Sequence, residues 1–230
     1  MIIKGLQKFT LIDYPGKLAC TLFTFGCNFR CPYCQNPELI IDNGQKPISE
    51  AWILNFLYQR RGFLDGVCIT GGEPTIQPDL LEFIKELKRL GYNVKIDTNG
   101  SNPKLINQMI QNKLIDFIAM DVKAPLKKYR KIVKTNIEEN LIEESIKIIM
   151  EKAPDYEFRL TVVPTLINEE DLHLIGKLVE GAKKMYIQQF KTEKTLDENF
   201  KKINPFTKEE LLRFRDILKN YVEFCDVRGV

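Results

Sequence analysis

Apolar residues recur along the chain with two alternating periods. Short runs rich in β-branched and aromatic residues cover 18–25, 67–70, 94–98, 117–121, 158–163, 185–190 and 222–227, and each reads as a strand. Between them lie longer stretches with helical spacing: 49–59, 79–90, 103–112, 138–152, 169–183 and 207–220. In the second of these, Leu80, Phe83, Ile84 and Leu87 share one face and Gly91 marks the stop. Pro103 occupies a favoured first helical position. Leu141, Ile142, Ile146 and Ile149 form a single stripe, and Thr207 with Glu210 is a capping-box pattern. Strand followed by helix, repeated about six times, predicts parallel strands joined by right-handed crossovers. The class is α/β, either a partial (β/α)6 barrel or an open parallel sheet. No low-complexity linker or repeat interrupts it, so residues 1–230 are expected to form one domain. Either architecture collects ligands beyond the C-terminal ends of its strands.

Composition narrows the picture. With 230 residues, 44% hydrophobic and 28% charged, the chain can bury a real core and is not a disordered segment. No run approaches the roughly 20 apolar residues of a membrane span, and the first residues do not read as a secretory leader. Thirty-four basic and 31 acidic residues leave a net charge of +3. That near-balance argues against a nucleic-acid partner held by phosphate neutralisation. Six cysteines are too few for a disulfide scaffold at this length. Three fall within eight residues, as Cys27, Cys31 and Cys34, which points to a metal or redox site in a reducing compartment such as the cytoplasm.

Those three lie in the loop 26–36, after the first expected strand, with the spacing C-x3-C-x2-C. Thiolates suit zinc or iron–sulfur. A structural zinc site wants four ligands, commonly as two C-x2-C pairs, and only one pair is present. Cys20 and Cys68 lie within apolar strands and read as core thiols. Three ligands on a four-iron cluster would leave one iron open for chemistry. Other polar clusters also follow strands: Thr70-Gly71-Gly72-Glu73-Pro74, Asp97-Thr98-Asn99-Gly100, Asp121-Val122-Lys123 and the run from Arg159 to Pro164. Taken alone, the first two are also ordinary strand-ending turns, Lys123 a solvated strand-end lysine and Arg159 half of a salt bridge.

Together these segments resemble the radical S-adenosylmethionine (SAM) enzymes, and their order resembles the glycyl-radical-enzyme activating enzymes, among them pyruvate formate-lyase activating enzyme. The opening stretch from Gly5 to Gly16 is similar to activators of anaerobic ribonucleoside-triphosphate reductase. The resemblance implies a partial (β/α)6 barrel and an extension over 191–230. It implies a [4Fe–4S] cluster on Cys27, Cys31 and Cys34, with SAM chelating the fourth iron. Tyr33 would sit against the adenine. Gly71 and Gly72 would let backbone approach SAM, and Glu73 would accept from its ammonium. Asp97, Thr98 and Asp121 would hold a monovalent cation, K+ or Na+, beside the SAM carboxylate. Arg159 would pair with that carboxylate, His173 would touch ribose or adenine, and Lys123 would lie near the substrate. An electron from flavodoxin or ferredoxin would cleave SAM to a 5′-deoxyadenosyl radical, which takes hydrogen from a glycine of the partner.

Two rivals stand beside this reading: a radical SAM enzyme acting on a small molecule, and a non-catalytic zinc- or cluster-binding interaction module. One surface feature bears on a protein partner. From Lys123 to Lys134, six of twelve residues are basic, interrupted by Tyr129. The run is expected to be a loop at the mouth of the barrel, with Lys127, Lys128 and Lys131 available to an acidic docking surface.

Overall fold

The computed structural model describes residues 1–229; Val230, the last residue of the expected domain and extension, lies outside the described residues. One sheet of eight strands runs in sequence order: β1 Ile3–Thr10, β2 Ala19–Thr24, β3 Gly66–Gly71, β4 Asn93–Thr98, β5 Phe117–Asp121, β6 Tyr156–Val162, β7 Met185–Gln189 and β8 Cys225–Arg228. From β2 to β8 every neighbouring pair is parallel, and β1 runs antiparallel to β2. Strands that each neighbour the next in sequence, with a helix in nearly every crossover, curl into the expected partial barrel. Among the described residues seven α-helices accompany them: α1 Glu50–Gln59, α2 Leu80–Arg89, α3 Pro103–Gln111, α4 Tyr129–Val133, α5 Glu139–Lys152, α6 Glu169–Leu178 and α7 Lys208–Leu218. Among the described residues no helix is long and apolar enough to cross a membrane.

Three departures from the sequence reading have physical causes. Strand β1 was not expected, because Lys4, Gly5, Gln7 and Lys8 break any β-rich run. It is an edge strand with a solvent side, where lysine and glycine are tolerated. Helix α6 stops at Leu178 rather than 183; two residues past its Val179 cap, Gly181 takes φ +81° and turns the chain. The basic run is not a loop: it forms a 3-10 turn, Leu126–Lys128, and then α4.

Alternation along each parallel strand separates two environments. Leu22, Val67, Ile69, Val94, Ile96, Ile118, Met120, Phe158, Leu160 and Ile187 are fully buried in the main apolar core, beneath the helices. The alternate positions face the barrel's interior, and many are polar: Cys68, Lys95, Asp97, Asp121, Glu157, Arg159, Thr161 and Gln188. At the N-terminal end of the strands Tyr14 plugs the interior, in a small separate cluster with Ala19, Phe117 and Ala119, its ring 6.0 Å from that of Phe117. The turn that carries it is pinned by Thr10 Oγ1, which accepts from the amides of Ile12 and Asp13. So the conspicuous Asp13-Tyr14-Pro15-Gly16 is a barrel stopper, away from the C-terminal strand ends where ligands collect.

Candidate functional site

The loop after β2 turns at Gly26, whose φ is +96° and whose amide donates to the Leu39 carbonyl at 2.7 Å. Cys27 Sγ then accepts from the Phe29 amide at 3.3 Å, and the Cys34 amide closes a turn onto the Cys31 carbonyl. Neighbouring elements brace the loop. Val133 of α4 accepts from the Arg30 amide at 2.8 Å, and Pro32 accepts from the Asp197 amide at 2.9 Å, so the C-terminal extension crosses the loop from the other side. Asn99 bridges from β4: its amide nitrogen donates to Asn28 Oδ1 at 2.8 Å and lies 3.9 Å from Cys27 Sγ.

This loop forms one wall of a cavity of about 240 Å³ at the C-terminal ends of the strands. Twelve of the thirteen residues singled out in the sequence border it: Cys27, Cys31, Tyr33, Cys34, Gly71, Gly72, Glu73, Asp97, Thr98, Asp121, Lys123 and Arg159. The lining also includes Phe29, Asn99, Thr161 and Gln188. It leaves out His173, which is exposed on α6 with its Nδ1 3.0 Å from the Tyr221 hydroxyl. A ribose or adenine contact from this histidine is therefore not available, because α6 presents it to a surface tyrosine.

Burial pushes the Cys31 thiol up to about 12 and also raises Cys27 and Cys34; the Lys123 ammonium pulls all three the other way. Such thiols stay protonated until a soft metal takes the proton's place. Among the described residues no three His, Cys, Asp or Glu side chains converge as ligands of a single ion would. A cluster instead places each thiolate on its own iron and spreads the ligands around a volume. Three thiols bordering one cavity fit that second arrangement.

The glycines and Glu73 work differently from the sequence reading. A Cβ on Gly72 would meet the Gly26 carbonyl oxygen at 1.9 Å, and one on Gly71 would meet the Thr24 amide at 2.5 Å. The close approach that requires glycine is thus backbone on backbone, not backbone on ligand. Glu73 is fully buried, which raises its pKa, but its carboxylate is held by four donors. Oε1 accepts from the Thr75 amide (3.0 Å), the Thr75 hydroxyl (2.6 Å) and the Thr98 hydroxyl (2.7 Å), and Oε2 from the Asn99 amide (2.6 Å). It clasps the end of β3 to the end of β4, with three of the donors on Oε1 and one on Oε2.

Opposite the thiols lies a ladder of charges. Asp97 is paired with Lys95 through Oδ1 and with Arg159 Nη1 through Oδ2 at 2.9 Å. Asp121 receives Arg159 Nε at 2.8 Å and Lys123 Nζ at 3.2 Å. Burial alone would raise both carboxyls; the guanidinium of Arg159 and the two lysines overcome it, hold Asp121 at about 2 and lower Asp97. Among the described residues Arg159 Nη2 has no protein acceptor. The expected monovalent cation does not fit. Its carboxylate ligands already face three side-chain cations, and the third ligand, the Thr98 hydroxyl oxygen, donates to Glu73 and already accepts from the Gly100 amide at 3.1 Å.

Basic residues nearer the mouth divide in the same way. Tyr129 is fully buried, its hydroxyl 3.3 Å from the Lys123 amide, so it offers no apolar surface to a partner. Lys128 pairs with Asp171 at 2.8 Å and Arg130 with Glu139. Lys127, Lys131 and Lys134 are exposed and have no ion pair among the described residues.

Comparison with known proteins agrees with this construction. Residues 21–180 match the Radical SAM superfamily. A Methanocaldococcus jannaschii protein provisionally assigned as a glycyl-radical enzyme activating enzyme is 36% identical, over 100% of this chain and 96% of that protein. The pyruvate formate-lyase-activating enzyme of Clostridium pasteurianum is 25% identical, over 96% of this chain and 98% of its own. In fold alone, SuiB of Streptococcus suis bound to S-adenosylmethionine is similar, with a TM-score of 0.64 at 16% identity over 90% of this chain and 49% of that one. The chain belongs to the radical SAM superfamily and, within it, to the glycyl-radical enzyme activating enzymes. A [4Fe–4S] cluster and SAM come with that membership.

Proposed function

We propose that this protein activates an anaerobic ribonucleoside-triphosphate reductase in the cytoplasm, taking its electron from a flavodoxin or ferredoxin. Cys27, Cys31 and Cys34 hold the cluster as thiolates, and Lys123 favours their charged form by its position. When bound, the cluster supplies the electron that cleaves SAM to the radical which abstracts the partner's glycine hydrogen. Arg159, oriented by Asp97 and Asp121, keeps Nη2 free to receive the SAM carboxylate. Phe29, Tyr33 and Ile40 line the same cavity and exclude water from it. Thr161 and Gln188, 3.5 Å apart, form a polar wall that can receive a peptide backbone.

The observation that carries a polypeptide substrate is the open sheet. Its edges, β1 and β8, are not paired with each other, so the barrel has a side through which a glycine loop can enter. The reductase as partner rests on the likeness of the segment from Gly5 to Gly16. The test is electron paramagnetic resonance of mixtures of the reconstituted protein, SAM, a reductant and a candidate partner. A glycyl radical on the reductase, and none on a formate-lyase-type enzyme, is expected. The reverse result would sink the choice of partner, and 5′-deoxyadenosine formation with no radical on either would favour a small-molecule substrate.

Docking has its own test. The buried face of α4 supports the cluster loop, and its exposed face carries lysine. The double variant Lys127→Glu/Lys131→Glu should slow partner activation on the order of tenfold at low salt, with the deficit shrinking as salt screens it. Uncoupled SAM cleavage should be unchanged. Equal loss of both activities would assign the segment to the active site instead.

A further inference from the structure

Lys95 is a strongly charged side chain of the barrel interior with no task in the proposed reaction; Glu157, the other such group, is taken up by two bonds from Arg228. It lies on β4, two residues before Asp97, so both point inward. Its side chain is 2% exposed. Burying an ammonium costs several kcal/mol unless it is paired, and this one is paired on one side only. Nζ bonds Asp97 Oδ1 and lies 3.7 Å from Cys68 Sγ and 5.8 Å from the Phe117 ring centroid. The Cys68 thiol stays neutral, raised well above its usual range by burial and then by Asp97. Asp97 is therefore its counter-ion, and Asp97 has a second task, because its other oxygen holds Arg159.

The five groups form one ladder, Lys95–Asp97–Arg159–Asp121–Lys123, in which signs alternate and cations stand at both ends. Three positive groups against two negative ones leave one positive charge in excess, and Glu157, which also faces Arg159, is balanced by its own partner Arg228; the excess suits an anionic ligand group at the free edge of Arg159. Without Lys95 the excess disappears, and Asp97 Oδ1 loses its buried partner. The carboxylate would then be free to rotate toward Arg159 and draw the guanidinium deeper into the barrel.

We propose that Lys95 is a positioning residue acting as a built-in cation: its ammonium supplies the positive charge behind Asp97, fixes Arg159, and makes SAM binding independent of K+ and Na+. This rests on the reading that SAM binds in the cavity with its carboxylate at Arg159. Lys95 does not touch the ligand; it acts through Asp97. An added monovalent cation has no site beside Asp97 because Lys95 fills it.

The test is the SAM dissociation constant of the anaerobically reconstituted protein in K+, in Na+, and with both replaced by choline at equal ionic strength. The native protein should give the same value, within about twofold, in all three media. Lys95→Met keeps the volume of the side chain and removes the charge. It should weaken binding on the order of tenfold or more, as expected for losing a charge-assisted bond, while iron content stays at the native level. Lys95→Ala leaves a space beside Asp97, and there K+, Na+ or methylammonium should restore a large part of the lost affinity. A merely structural lysine predicts no such rescue. Cation-dependent binding by the native protein overturns the proposal, as does native affinity of Lys95→Met in choline. If Lys95→Ala fails to fold, the native protein and Lys95→Met still decide it. Absence of SAM binding by the iron-loaded native protein in every medium would overturn the reading of the cavity, and this inference with it.

Discussion

Replacing Cys27, Cys31 or Cys34 by alanine, one at a time, should leave the protein unable to hold its cluster. Iron and sulfide after anaerobic reconstitution should fall to background, and the brown absorbance should be absent from each variant. The reason is arithmetic as much as geometry. Three thiols border the cavity, and among the described residues no further His, Cys, Asp or Glu group forms a metal site that could substitute. Each thiolate contributes a bond to its own iron, so losing one leaves two ligands for the whole group. Cys225→Ala is the control. That thiol is buried on β8 with its pKa raised to about 12 by burial, and its removal should cost some stability but no iron. Because burial keeps the three site thiols protonated, the alanine variants should fold without metal about as well as the native chain does without metal. Near-native iron in any one of the three would refute the ligand assignment.

How legible the site was depended on how local its parts are. Cys27, Cys31 and Cys34 are neighbours in sequence, so their spacing was visible without a fold. The segments ending in Glu73, Asp97 and Asp121 were visible because each follows a β-rich run, and a parallel sheet brings its strand ends to one side. Lys95 was not found, and neither was the role of Thr161. Their meaning depends on facing the barrel interior opposite residues from distant strands: Arg159 meets Asp97 across 62 positions. A signal did exist. Strands covered on both faces should be almost wholly apolar, yet Lys95-x-Asp97 and Glu157-x-Arg159-x-Thr161 place polar residues at every second position. That period of two marks a polar interior face.

Misassigned residues share another cause. Tyr129 drew attention as an aromatic residue in a basic run, and it is a buried plug whose hydroxyl completes local packing. His173 was given a ligand role by the family resemblance, but helix phase decides which way a side chain points. On α6 the inward residues are Leu172 and Ile175, so position 173 faces out.

Gly72→Ala should be as damaging to the cluster as a lost ligand, though the residue has no side chain to give. The new methyl would lie 1.9 Å from the Gly26 carbonyl oxygen and 2.6 Å from its carbonyl carbon. Both are backbone atoms, so no rotamer change relieves the clash, and the two segments must separate by more than about 1 Å to reach ordinary contact. Two bonds stand in the way: the Glu73 amide to the Gly26 carbonyl and the Gly72 amide to the Thr24 carbonyl, each 2.8 Å. These bonds moor the cluster loop to β3, and Glu73 beside them clasps β4. Breaking them costs about 2–4 kcal/mol, counting overpacking and unsatisfied buried groups. For a chain of this size that is a fall of roughly 5–15 °C in melting temperature. The loop that remains should no longer hold its thiols around one volume, so most of the iron should be lost on reconstitution. Gly91→Ala separates this from simple glycine strain. Gly91 has φ +90° with open space where a Cβ would go, so its alanine variant should lose about 1–2 kcal/mol and keep its iron. If Gly72→Ala retains native iron and melts no lower than Gly91→Ala, the glycine pair is not the mooring of the cluster loop.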